Sequence, residues 1–130
     1  MRILIIGATG TIGRSIVAAL QERHDLVLAS RQKAQEQVDI SDSASIRALY
    51  KRVGKVDAVI TAAGDAAFHP FSELTDEDFA LSMRSKLMGQ VNVVRYGMDS
   101  ANDGGSFTIT SGSLAQEPMV GGAAASTVNG

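Results

Sequence analysis

The sequence predicts an α/β domain built on a doubly wound parallel sheet, and three observations carry that reading. Short apolar runs alternate with segments of helical periodicity along the 130 residues. The first apolar run breaks into glycines at three-residue intervals and passes at once into a helical pattern. No composition shift or solenoid-spaced repeat divides the chain, so residues 1–130 read as one domain.

Ile3 to Ile6 is apolar at every position, as a central parallel strand buried on both faces must be. After Gly7, Gly10 and Gly13, the residues Ile12, Ile16, Val17 and Leu20 mark one face of a helix. Asp25 to Ala29 is a second buried strand, ending at Ser30 and Arg31, and Val38-Asp39-Ile40 is a short third strand. Ser41, Asp42 and Ser43 supply capping oxygens to a helix that turns Ile46, Leu49, Tyr50 and Val53 inward and stops at Gly54. Val56 to Thr61 is the fourth strand, followed by Ala62-Ala63-Gly64 and a loop to about Glu73.

Thr75 and Asp78 form a capping box, with Leu74 and Phe79 as its hydrophobic staple. The helix they start is expected to run to about Ser100, with Phe79, Met83, Leu87, Val91, Val94 and Met98 as its apolar stripe. Asn102 to Gly105 is a turn, and Ser106 to Thr110 a fifth strand ending in Ser111-Gly112-Ser113. The expected strand order is 3-2-1-4-5, with a ligand crevice at the carboxyl ends of strands 1 and 4. The last twenty residues show no evident anchor, and a doubly wound domain usually carries one more strand. The chain therefore reads as truncated on its C-terminal side.

A composition 45% hydrophobic and 20% charged excludes disorder. The net charge of -2 argues against nucleic acid or an anionic membrane as partner. The absence of cysteine excludes disulfides, thiolate metal sites and a cysteine nucleophile. His24 and His69 stand alone, with no metal-ligand spacing. No apolar run approaches bilayer length, and the four-residue run before Gly7 is too short for a signal peptide. A cytoplasmic location is expected.

Strand, glycine turn and helix in this order make a Rossmann-like dinucleotide-binding unit. Gly7 permits the tight turn, Gly10 lets a pyrophosphate approach the backbone, and Gly13 lets helix and strand pack closely. The free N–H groups at the helix start then face the phosphates. An NAD site needs a carboxylate at the end of strand 2 for the ribose 2′-hydroxyl, where this chain has Ser30 and Arg31. A hydroxyl and a guanidinium suit a 2′-phosphate, and Arg14 adds to the positive field, so the reading is NADP.

Taken together, these motifs resemble the short-chain dehydrogenase/reductase family over nearly the whole chain. Gly7-Ala-Thr-Gly-Thr-Ile-Gly13 resembles its coenzyme-binding turn, which carries Thr9, Thr11 and Ile12 with the glycines. Asp39 and Ile40 resemble its adenine-contacting aspartate and that residue's neighbour. Thr61, Ala62, Ala63 and Gly64 are similar to its Asn-Asn-Ala-Gly motif, and Ser111 or Ser113 falls where the substrate-orienting serine stands. The resemblance breaks at the family's Tyr-x-x-x-Lys pair, where Ala125 and Asn129 stand, and Lys86 takes the place of its helix asparagine.

What the resemblance implies is an NADP(H)-dependent oxidoreductase that moves a hydride between nicotinamide and a small carbonyl or alcohol. Lys86 is the one candidate proton donor, with Ser111 or Ser113 beside it. The alternative is a non-catalytic NADP-binding sensor or interaction module. Family members pair through the long helix, which implies a homodimer or tetramer through residues 76–100.

Overall fold

A computed structural model describes residues 1–130. Five parallel strands form one sheet in the order β3-β2-β1-β4-β5. They are β1 (Arg2–Ile6), β2 (Asp25–Ser30), β3 (Glu36–Gln37), β4 (Val56–Thr61) and β5 (Ala101–Thr108). The order is the expected one, with its switch point between β1 and β4. The helices are α1 (Thr11–Leu20), α2 (Ser43–Val53), α3 (Asp76–Ser82), α4 (Met88–Gly97) and α5 (Ala123–Asn129). None is long and apolar enough to cross a membrane.

β1 is buried on both faces because its alternate residues serve two cores. Leu4 and Ile6 join Val27, Ile46, Leu49 and Val59 beneath α2 and α4. Ile3 and Ile5 face the other way, toward Ile16, Val17 and Leu20 of α1. Ile12 is not part of that packed face, since at the first turn of α1 it is 55% exposed. α2 begins on the Asp42 carboxylate, which accepts from the Ala44 N–H, and ends at Gly54 with φ 74°. The Tyr50 hydroxyl donates to the Val93 carbonyl at 2.7 Å, tying α2 to α4 and satisfying a phenol that burial would otherwise penalise.

Four expectations need correction. The third strand is Glu36–Gln37, two residues ahead of the apolar pair that suggested it. Val38 and Ile40 are buried beyond the end of that ladder, with only the Val38 N–H continuing it, to the Ser30 carbonyl. The fifth strand starts at Ala101 rather than Ser106. Its pairing with β4 jumps from Val56↔Ala101 to Ala58↔Ser106, so the predicted turn is a bulge inside the strand.

The helix over 76–100 is not one regular helix with an apolar inner stripe. Its capping box forms as expected, but Met83–Leu87 is a π-helical turn between α3 and α4. The residues turned inward are Ser82, Ser85, Gly89, Gln90, Val93 and Gly97. Met83, Val91 and Met98 of the predicted stripe are exposed. The reason is what the helix packs against. Near its start it meets the backbone of the loop after β4, where Ser82 Oγ accepts from the Ala67 N–H and Ser85 Oγ from the Asp65 N–H, each at 2.9 Å. Farther on it approaches Ile40 and Tyr50 so closely that a Cβ at Gly89 or Gly97 would collide with their side chains. The final twenty residues are anchored after all: α5 buries Ala124, Ala125 and Val128.

Candidate functional site

The glycine turn is held by its neighbours on both sides. The Gly7 and Ala8 N–H groups both donate to the Ala29 carbonyl, at 2.9 and 3.1 Å. Gly7 has φ 85°, and a Cβ there would lie 2.7 Å from the Ala62 carbonyl oxygen. A Cβ at Gly13 would run into the Gly7 carbonyl, so α1 packs on the turn only without a side chain. At Gly10 a Cβ would meet nothing nearer than 3.4 Å, which leaves the space above that residue open. Arg14 Nε donates to the Thr9 carbonyl at 2.8 Å and braces the turn. α1 starts with no side-chain cap and no acid in its first turn. The N–H groups of Thr11, Ile12 and Gly13 therefore have no side-chain partner, which suits an anion.

Beside this turn lies a crevice of about 760 Å³, across the carboxyl ends of β1, β2 and β4. Gly7, Thr9 and Gly10 form one wall, and Ala62, Ala63 and Gly64 another. Ser30, Arg31, Asp39 and Ile40 also line it. The structure thus brings ten of the thirteen predicted cofactor residues onto one cavity, with Thr11, Ile12 and Gly13 behind them at the helix start. The residues fit a dinucleotide: an open, donor-rich cradle at Gly10 and the Arg31 guanidinium in the same lining.

Sequence reasoning missed Lys33 and Asp65, which also border the crevice. Lys33 was legible as the second cation of the Arg31-Gln32-Lys33 turn. Its N–H donates to Ser30 Oγ at 3.2 Å, which folds that turn over the end of β2. Asp65 had no sequence signal, because its partner is remote in the chain. Its carboxylate takes a 2.9 Å ion pair from Arg31 Nη1 across the cavity. Asp39 uses one carboxylate oxygen to accept from the Ser41 hydroxyl and N–H, at 2.7 and 3.0 Å. Those bonds hold its carboxyl below the usual aspartate range.

The three predicted catalytic residues lie outside the crevice walls. Lys86 stands in the π-helical turn with its side chain against Gly64, 2.9 Å from where a Cβ would sit. Its ammonium has no ion pair, and burial pushes its pKa down. The Ser111 hydroxyl donates to the Asn129 carbonyl at 2.6 Å, and Ser113 opens a 3-10 turn. Ala125, where the resemblance would place a tyrosine, is 2% exposed.

Lys86 and Ser111 are linked through Gln90, a buried residue that carried no motif. Its amide pairs with both sides of one backbone unit: Nε2 donates to the Thr110 carbonyl at 2.7 Å, and Oε1 accepts the Thr110 N–H at 2.8 Å. Nε2 also reaches the Lys86 carbonyl at 3.2 Å. Gln90 thereby fixes the segment that carries Ser111 to the helix that carries Lys86.

Comparison with known proteins agrees with the fold. Residues 3–113 match the NAD dependent epimerase/dehydratase family. A sepiapterin reductase from Chlorobaculum tepidum is 34% identical over 67% of this chain and 48% of its own length. The chain thus spans about half of that relative. The crystal structure of protein lin1944 from Listeria innocua is 45% identical with a TM-score of 0.97, over 99% of this chain and 64% of that one. A small-chain dehydrogenase solved in complex with NADPH is 26% identical with a TM-score of 0.89, over 99% of this chain and 58% of that one.

Proposed function

The chain belongs to the NAD dependent epimerase/dehydratase family, among the short-chain dehydrogenases/reductases, and from that membership we propose an NADP(H)-dependent oxidoreductase. Its substrate is a small carbonyl compound or alcohol. The observation that carries the proposal is the open, uncapped glycine turn on a crevice that Ser30, Arg31 and Lys33 also line. The turn suits a pyrophosphate and the cations suit a 2′-phosphate.

When bound, the nicotinamide supplies or accepts the hydride. Lys86 then has the role of proton donor to the carbonyl oxygen, because its pKa lies nearer neutrality than a solvated lysine's. Ser111 or Ser113 orients the substrate. One observation favours a second reading, a non-catalytic NADP sensor: Ala125 fills the tyrosine position with a packed methyl group. The exposed Met83, Val91 and Met98 suit a homodimer or tetramer formed through residues 76–100.

The test is a pair of titrations with NADPH and NADH, alongside NADPH oxidation across a panel of carbonyl compounds. Tighter NADPH binding that weakens in Arg31→Ala supports the coenzyme assignment, and tighter NADH binding overturns it. Turnover selects the enzyme, and binding without turnover selects the sensor. Unchanged turnover in Lys86→Ala removes the lysine from the chemistry. Light scattering of the eluted protein reads the oligomer directly.

A further inference from the structure

Arg31 has an anionic partner before any phosphate arrives. Its Nη1 already lies 2.9 Å from Asp65 Oδ2, in a pair that bridges the crevice from the end of β2 to the loop after β4. The Asp65 backbone is itself held, because its N–H donates to Ser85 Oγ at 2.9 Å. The carboxylate is therefore presented to the crevice from a fixed point. A second carboxylate, Asp39, also lines the crevice, held low first by its Ser41 hydrogen bonds and only secondarily by the Arg31 charge. Among the crevice residues the cations Arg31 and Lys33 are thus matched by the anions Asp39 and Asp65. The region is not the positive funnel that Arg31 alone suggests.

We infer that Asp65 is a specificity-determining residue, which competes with the coenzyme's 2′-phosphate for Arg31 and so limits the preference for NADP over NAD. The inference rests on the reading that NADP binds in this crevice. A 2′-phosphate reaching Arg31 must displace the Asp65 carboxylate or sit beside it, and either costs binding energy. NAD brings a 2′-hydroxyl to the same place, leaves the ion pair intact and meets no like charge. Asp65 therefore acts on one coenzyme and not on the other. Both side chains are more than half exposed, at 66% and 51%. Solvent keeps the competition modest, and the expected effect is about two- to ten-fold in affinity.

The experiment measures NADPH and NADH affinities by fluorescence titration for the wild type, Asp65→Asn, Arg31→Ala and the double variant. Asp65→Asn keeps the backbone bond to Ser85 and removes only the charge. It should tighten NADPH about two- to ten-fold and leave NADH within two-fold. In the Arg31→Ala background the same change should bring no gain for NADPH. An unchanged or weaker NADPH affinity in Asp65→Asn overturns the inference, as does a gain that persists without Arg31. Failure of the underlying reading looks different: there Arg31→Ala leaves NADPH affinity where it was.

Discussion

Gln90 offers the sharpest single test of how this site is built. It is 6% exposed, and its amide satisfies both the N–H and the carbonyl of Thr110 at 2.8 and 2.7 Å. Gln90→Leu is similar in volume and removes both bonds, together with the longer one to the Lys86 carbonyl. Each such bond contributes about 0.5–1.5 kcal/mol net, and a buried group left unpaired costs about 1–3 kcal/mol. Thr110 is only partly buried, so water recovers some of that cost, while the leucine gains a little by burial. The expected loss is about 2 kcal/mol, read as a lower urea midpoint at unchanged slope by far-ultraviolet circular dichroism. Gln90→Glu adds a pH signature. A neutral carboxylic acid can accept from the N–H and donate to the carbonyl, whereas a carboxylate would face the carbonyl with no proton. The folded pKa of that glutamate is therefore raised above its unfolded value of about 4.3. Relative to the wild type, the variant is at its most stable below that pH. It loses stability as pH rises through the interval up to the folded pKa. A Gln90→Leu loss under about 0.5 kcal/mol, or a Gln90→Glu difference flat with pH, would refute the clamp.

The remaining predictions concern the turn, a cap and a buried charge. Gly13→Val should abolish NADPH binding and cost at least about 2 kcal/mol, because its side chain would enter the Gly7 carbonyl. Calorimetry and a coenzyme titration check it together. Asp42→Ala should cost about 1 kcal/mol by leaving the Ala44 N–H uncapped, with coenzyme affinity unchanged. Lys86 carries a pKa lowered by burial, so its charged form is destabilised in the folded state. Lys86→Met should therefore be the more stable protein at neutral pH. Its advantage should fade as pH rises toward 10.5, where the unfolded lysine also loses its proton. Paired denaturation curves at neutral and alkaline pH decide it.

The departures from expectation share one physical origin. Apolar periodicity reports which residues avoid water, not which backbone groups pair. Val38 and Ile40 are buried as their character demands, yet the strand they suggested lies two residues earlier. Along 76–100 the periodic residues Met83, Val91 and Met98 look like a core stripe, but that side faces outward. The inner side has to satisfy loop N–H groups and admit Ile40 and Tyr50, which calls for hydroxyls and glycines. Small and polar residues leave no hydrophobic signal.

The linear sequence by itself determined the strand order, the capping of α2 and α3, and ten of the residues that line the crevice. Alternating strands and helices set the order by a general rule of connection. Each capping oxygen lies within three residues of the N–H it meets. A left-handed turn calls for glycine, as at Gly7 with φ 85°. Only the tertiary structure decided the rest. Arg31 meets Asp65 across 34 positions, and Gln90 meets Thr110 across 20. Such pairs join elements that chain folding brings together, and neither partner's local pattern names the other. The glycine turn could be read from thirteen residues. Which charges stand with Arg31 at the end of β2 needed the whole sheet.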